Sequence, residues 1–459
     1  MNQIAPKTEP PTLYRWLVLL FISLAMFGNY YVYDAIAPIA DVLKKDLGFS
    51  DQNIGSLYSV YSIAAVIVLL LGGVLIDRLG TAKSTVIFGA ICTGAGILNA
   101  VSSSFEVMLT ARFIFGLGAE PLIVAITTAL AKWFKGKELS FAFGVNLTIA
   151  RMGQIAADWS PTWGKFAYKT TRASAETGGV EVVVDSWQGP LVLAAVIGVL
   201  CVVAALVYAA MEGYAGRHYD LQASDETEKL VLKDLFRFDR SFWLVVALCV
   251  TFYSAIFPFR AFAIKYFMEA WHMTREAAGQ YNSVLPFAGM IATPLFGLLV
   301  DKVGKRSLFM AVGAFLLMPV YVMMAYKTTG LSVPIAMMGI AFSLIPAVMW
   351  PSVAYLVDEK RLGSAYSVMT LIQQIGVAGM SWGIGKTNDV FGASKKNVQG
   401  YNPGLWIFSV LGFLALFFAY LLRRVETGPN AHGLETITTK SQALAERANA
   451  EETKRAKEG

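Results

Sequence analysis

Twelve apolar runs, each near the twenty residues that a helix needs to cross a bilayer, recur along this chain. They cover about 13–37, 53–76, 84–103, 106–131, 139–160, 189–210, 241–268, 277–300, 307–326, 332–357, 364–385 and 403–422. Backbone polar groups inside a bilayer must be bonded within the protein, so only helices or a closed barrel remain. The runs lack the in–out alternation of barrel strands, and most contain glycine, which is common in membrane helices. The predicted fold class is an all-α membrane protein of twelve transmembrane helices in two sets of six, 13–210 and 241–422, joined by 211–240.

Composition agrees with this reading. Hydrophobic residues make up 56% of the chain and charged residues 15%, against roughly 25% charged in soluble domains. A soluble enzyme, a disordered chain and a nucleic-acid binder are excluded as first readings. The three cysteines, Cys92, Cys201 and Cys249, all fall inside apolar runs, which argues against a disulfide framework or a Cys-rich metal site. His218, His272 and His432 are far apart and outside the runs, so no zinc site or His-based triad is expected. No phosphate-binding G-x-x-x-x-G-K-[ST] stretch occurs, which removes direct ATP drive. No cofactor is predicted.

Lys and Arg fix the expected orientation. With the N-terminus in the cytoplasm, most of the 38 Lys and Arg fall in cytoplasmic segments, among them Arg78, Lys83, Lys132, Lys302, Lys305, Arg306 and Arg361. Both termini are therefore predicted to be cytoplasmic. The segment 1–12 lacks the layout of a cleavable signal. Residues 161–188 form the longest outer loop, and its GGVEVVVDS stretch predicts a short hairpin. In the linker, LVLKDLFRF is amphipathic and suits the membrane surface. The charged tail, 423–459, is expected to be disordered or a frayed helix.

One pattern occurs twice. Gly73-Val-Leu-Ile-Asp77-Arg78-Leu-Gly80-Thr-Ala-Lys83 joins the second and third runs of the first half. Gly297-Leu-Leu-Val-Asp301-Lys302-Val-Gly304-Lys305-Arg306 does so in the second. Glycines permit a tight reversal and close helix approach. The Asp can accept from a basic partner or face a helix N-terminus. Such bonds would hold two halves together and break when they rock.

G-x-x-x-D-[RK]-x-G with following basics, in both halves of a twelve-run chain, resembles the major facilitator superfamily. Arg112-Phe-Ile-Phe-Gly116-Leu-Gly118 resembles that superfamily's second motif. The resemblance spans 13–422 and implies two six-helix bundles, a substrate site between them near the midplane, and alternating access. Marks of drug antiporters, sugar porters and proton-coupled oligopeptide carriers are absent. Gly28-Asn-Tyr30-Tyr-Val-Tyr33-Asp34, Glu120, Lys132-Trp-Phe-Lys-Gly-Lys-Glu138-Leu, Ala150-Arg151-Met-Gly153, Phe257-Pro258-Phe259 with Lys265, Trp350-Pro351 and Leu362-Gly363-Ser-Ala-Tyr366 through Gln373-Gln374 together resemble the lysosomal dipeptide uniporter branch, the major facilitator domain-containing 1 type. That resemblance implies dipeptide binding by Glu120 and Arg151. Lysosomal members work with a glycosylated lumenal partner. Here the one N-x-T, Asn146-Leu-Thr148, lies inside a run, and no acidic dileucine signal precedes the first helix. The chain is read as a bacterial inner-membrane homologue, monomeric, without that partner, and in contact with lipid and a small-molecule substrate.

Ionisable groups inside a membrane are functional candidates by default. Arg112 is read with the repeated loops as a conformational group, its bland alternative a structural tie to neighbouring helices. Glu120 can accept a substrate ammonium or carry a proton; a fixed salt bridge to Arg151 is the alternative. Arg151 can clamp a carboxylate through two parallel bonds. Tyr30, Tyr33 and Asp34 share one helix face that suits an amine, although an interfacial tyrosine belt has the same spacing. Tyr58 and Tyr61 form a similar pair. Asp158 reads as an entrance charge or a loop anchor. Lys265 matches the branch pattern. Arg260 departs from it, either as a second cation on the cavity or as a side chain that snorkels at the outer interface. Trp350 and Gln373 complete the candidate set. A carboxylate carrier is the competing reading, motivated by Arg112, Arg151, Arg260 and Lys265; a non-transporting membrane sensor is the alternative of another class. The resemblance implies uniport, whereas Glu120, Asp34 and Asp158 leave proton coupling open.

Overall fold

A computed structural model describes residues 9–134, 138–173, 181–219, 238–357, 361–429 and 431–438, with the backbone alone at 70–75, 77, 140, 172–173 and 181–182. Each of the twelve apolar runs is helical. In chain order the helices are α1 Thr12–Asp34, α2 Ala40–Leu47, α3 Asp51–Leu79, α4 Thr81–Val101, α5 Phe105–Phe134, α6 Leu139–Asp158, the single turn α7 Ser160–Trp163, and α8 Gln188–His218. They continue with α9 Arg240–Ala270, α10 Arg275–Asn282, α11 Val284–Val303, α12 Arg306–Tyr326, α13 Ser332–Leu356, α14 Leu362–Val390 and α15 Asn402–Glu426. Among the described residues, ten helices or helix pairs are long and apolar enough to cross a membrane. α6 and α14 are the runs that fall short of that measure.

Two runs break where the sequence gives cause. The first ends at Asp34, ahead of Pro38, whose ring and missing N–H stop a helix. The run 277–300 divides at Ser283 into α10 and α11. Ser283 Oγ donates to the Gln280 carbonyl and accepts from Trp159 Nε1 at 2.6 Å. The outer loop forms the expected hairpin: β1 Lys169–Ala173 pairs antiparallel with β2 Glu181–Asp185, with Lys169 opposite Asp185.

The chain divides into two compact units, 1–230 with 256–287 and 374–404, and 231–255 with 288–373 and 405–459. In the first, α4 packs between α5 and α8, α1 lies against α6 and α8, and α3 lies against α5. Gly116 of α5 sits directly on the backbone of Tyr61 of α3, where any Cβ would collide. In the second, α12 packs on α13, and the Tyr321 hydroxyl donates to the Ala255 carbonyl at 2.6 Å. The cysteines are free and buried.

Both copies of the repeated loop turn on a glycine with positive φ, Gly80 at φ +77° and Gly304 at φ +70°. That conformation favours glycine because it lacks a Cβ. The Asp77 side chain, Lys135, Lys137, Lys360 and all of LVLKDLFRF except Phe238 lie outside the described residues, and Gly73 is described by its backbone alone, within α3. The tail departs from expectation: residues 431–438 are ordered, and Leu434 is completely buried. Polar composition suggested disorder; specific backbone bonds to the turn before α12 order the segment instead.

Candidate functional site: a polar layer inside the first unit

The α1–α6 and α3–α5 packings bring the sequence-predicted polar residues together. Glu120 of α5 accepts hydrogen bonds from the Tyr61 hydroxyl at 3.0 Å and from Gln374 Nε2 of α14 at 3.2 Å. Arg151 of α6 donates to Gln154 Oε1 at 2.7 Å. Tyr30, on the adjacent face of α1, is in electrostatic reach of both Arg151 and Glu120. Glu120, Arg151, Tyr30 and Tyr33 are only partly buried. Tyr33 meets Tyr61 edge-on at 4.7 Å between ring centroids and Tyr58 at 5.7 Å. These residues form a partly buried polar layer with a carboxylate, a guanidinium and aromatic rings. Its groups match the two ends of a zwitterion.

Arg112 is buried against the protein. It donates to the Val32 carbonyl at 3.3 Å and the Tyr33 carbonyl at 2.8 Å, and lies over the rings of Tyr58, Tyr33 and Phe115. It ties α5 to the end of α1. The Tyr58 hydroxyl is buried without a hydrogen-bond partner.

A second cluster lies toward the ends of the same helices. Asp34 is the last residue of α1 and Asp158 the last of α6. Carboxylates at helix C-termini are disfavoured by the helix dipole. Arg260 of α9 offsets this by reaching Asp158 at 2.9 Å and Asp34 at 3.4 Å. Asn282 of α10 donates to Asp158 at 2.7 Å. With 3% of its surface exposed, Arg260 does not snorkel. Lys265, one helical turn and a residue further along α9, donates to both oxygens of Asp51 at 2.8 Å and to the Tyr401 hydroxyl at 3.0 Å. Glu269 accepts from that same hydroxyl.

Asp51 opens α3, where a carboxylate suits the dipole. Asp389 of α14 accepts from the backbone N–H of Asp51 at 2.9 Å and of Gln52 at 2.7 Å, capping the helix from another element. Gly385 makes this possible, because a Cβ there would strike the Asp51 carbonyl. At the rim, Arg275 pairs with Asp41 of α2 and Asp185 of the hairpin. Partial burial pushes the Asp185 carboxyl up, but Lys169 and Arg275 outweigh it and hold it below the ordinary aspartate range.

The remaining candidates belong to the second unit or to the loops. Trp350 donates to the Tyr253 hydroxyl at 3.0 Å, and its ring lies tilted against that of Tyr366, 6.0 Å between centroids. Gln373 is buried and accepts from Cys249, so Gln374, which the sequence reading left out of the site, is the glutamine that meets Glu120. In the repeated loops, Arg78, Lys83, Asp301 and Lys302 are exposed, and Arg306 pairs with Asp301 at 3.2 Å. Gly297 has open space around it. Asp51, Asn282 and Tyr401 were also missed. Asp51 carries a sequence signal, an acid at the start of an apolar helix shortly after Lys44, with which it also pairs at 3.2 Å. Asn146, the N-x-T asparagine, is buried on α6 and donates to Ser23.

The Major Facilitator Superfamily description matches residues 22–380 and 259–450. The lysosomal dipeptide transporter MFSD1 of Danio rerio is 33% identical over 391 residues, covering 83% of this chain and 82% of that protein. The Homo sapiens protein of the same name is 32% identical over 371 residues, covering 80% and 78%. A solved bacterial homolog of the human lysosomal transporter Spinster, inward-facing and unoccupied, aligns with a TM-score of 0.69 at 18% identity. That alignment covers 90% of this chain and 98% of the other, and it bears on fold alone. Family match, relatives and apolar helices together make this a multi-pass membrane transporter and not an enzyme: the chain belongs to the major facilitator superfamily, in the branch that contains MFSD1.

Proposed function

We propose that this transporter carries dipeptides by alternating access, with Arg151 holding the terminal carboxylate and Glu120 the terminal ammonium. One observation carries the assignment of these residues. Arg112, Arg260 and Lys265 are buried against protein partners, whereas Arg151, Glu120 and Tyr30 are each only partly buried. A zwitterion loses its water only where opposite charges replace it. The guanidinium offers two parallel donors to a carboxylate. Tyr30 and Tyr33 add aromatic faces for the ammonium. That the relatives are dipeptide transporters supports the same substrate class.

In this reading Arg260 and Lys265 are gate residues rather than ligands. Their pairs with Asp34, Asp158 and Asp51 form in one conformer and separate in another, with Arg112 tying α5 to the same end of α1, while Asp77, Arg78, Asp301 and Lys302 serve the opposite side. The ten apolar helices with α6 and α14 make twelve spans in two bundles, 13–210 and 241–422, both termini in the cytoplasm. α6 and α14 are less apolar because they carry Arg151, Gln154 and Gln374. The carrier acts as a monomer and uniporter in the cell membrane, without cofactor or accessory glycoprotein. A carboxylate carrier is disfavoured, since three of the four cations that motivated it are already committed.

Reconstituted protein should take up a labelled neutral dipeptide to equilibrium, independent of an imposed pH gradient. Glu120→Gln and Arg151→Ala should each reduce uptake at least tenfold. Accumulation driven by the gradient would replace uniport by proton symport. Uptake of a simple carboxylate with no competition from dipeptides would sink the substrate assignment.

A further inference from the structure

We propose that residues 431–438 form a latch on the second copy of the repeated loop, with Glu435 fixing the first turn of α12 as Glu212 fixes the first turn of α4 behind the first copy. In the first half, Glu212, near the end of α8, accepts from Thr81 Oγ1 at 3.0 Å and pairs with Lys132 at 2.8 Å. The Tyr208 hydroxyl donates to it as well. Thr81 is the residue that follows the turn glycine Gly80. In the second half, Glu426 stands as far along α15 as Glu212 stands along α8, but its carboxylate is taken up by Ser241 of α9 and by His432 and does not serve α12. The chain beyond it folds back instead. Glu435 accepts from the Ser307 backbone N–H at 2.9 Å and from the Ser307 hydroxyl. Each half thus carries a carboxylate from the end of its sixth helix, or beyond it, to the start of its third.

The latch is held at several points. Lys305 N–H donates to the Glu435 carbonyl at 3.2 Å and Arg306 N–H to the Leu434 carbonyl at 3.0 Å. The Arg306 guanidinium donates to the Ile437 carbonyl at 2.7 Å. Leu434 supplies a buried apolar anchor. His432 bridges the Glu426 and Asp239 carboxylates at 2.9 and 3.1 Å, so the segment also joins the end of α15 to the start of α9. Lys305 itself lies in the left-handed region at φ +51°. A residue with a Cβ stays there only when its surroundings hold it, and the tail supplies two backbone acceptors on either side of that strained peptide.

The latch follows from contacts alone, but its effect on turnover rests on the transport reading above. Hydrogen–deuterium exchange on the full chain should show the peptide covering 304–310 exchanging about fivefold faster in Glu435→Ala than in wild type, the size of a lost helix cap. Truncation after Gly428 should do the same. Truncation after Thr438 should not. Dipeptide turnover should fall several-fold in the first two with KM unchanged, and Glu435→Gln, which keeps an acceptor oxygen, should restore most of both readouts. Unchanged exchange after truncation at Gly428 would overturn the latch. So would faster exchange with unchanged turnover, or a joint loss of Tm, KM and turnover that Glu435→Gln does not relieve. If wild type carries no dipeptide, the substrate reading fails while the exchange measurements still decide the latch.

Discussion

Arg260 is the residue whose surroundings most change its meaning. In the sequence it is one extra cation in an apolar run. In the fold it is shared between Asp34 and Asp158, 226 and 102 positions away. Buried ion pairs add little net stability, but removing one partner strands a charge at a cost of about 3–5 kcal/mol. Arg260→Leu should therefore lower Tm strongly in detergent-solubilised protein. The triple change Arg260→Leu, Asp34→Asn, Asp158→Asn should recover much of the loss, because no charge is then stranded. Equal damage in single and triple variants would show that the cluster holds the fold in some other way. The cations were legible because charges stand out in apolar sequence. Their partners were not, because pairing across a hundred or more residues is set by tertiary packing and leaves no local spacing.

Elements were read more securely than residues. Twelve apolar runs became twelve helical runs, since periodic burial in lipid leaves no other regular backbone. The hairpin was legible from its β-branched stretch. Residues 431–438 were not, because their order comes from backbone bonds to one turn rather than from apolar content. The two turn glycines allow a comparison at this scale. A Cβ on Gly80 meets nothing within 4 Å, whereas one on Gly304 meets the Glu435 carbonyl at 3.1 Å and Thr438 at 3.2 Å. Gly80→Ala should cost about 1–3 kcal/mol, from its positive-φ, extended backbone alone. Gly304→Ala should cost more and should also loosen the tail, raising exchange at 304–310. Equal losses of Tm with no change in exchange would contradict that difference.

At the scale of the molecule, the family assignment explains why a chain of this length devotes so few charges to its interior, and why those few are so specifically placed. The groups in the polar layer and the ionic cluster are Arg112, Arg151, Arg260 and Lys265 against Asp34, Asp51, Glu120 and Asp158. Glu269, beside Lys265, adds a further carboxylate, and a neutral dipeptide adds one charge of each sign. A membrane potential acts on net charge displaced through the bilayer, with about 2.3 kcal/mol for each charge moved across 100 mV. Under the proposed dipeptide reading, a neutral dipeptide adds no net charge to the carrier on which that field could act. Rapid addition of a neutral dipeptide to proteoliposomes on a solid-supported membrane should therefore evoke no sustained current, while a lysine-containing dipeptide should evoke one. Evolution would then be free to place such a protein in membranes of very different voltage without retuning its cycle.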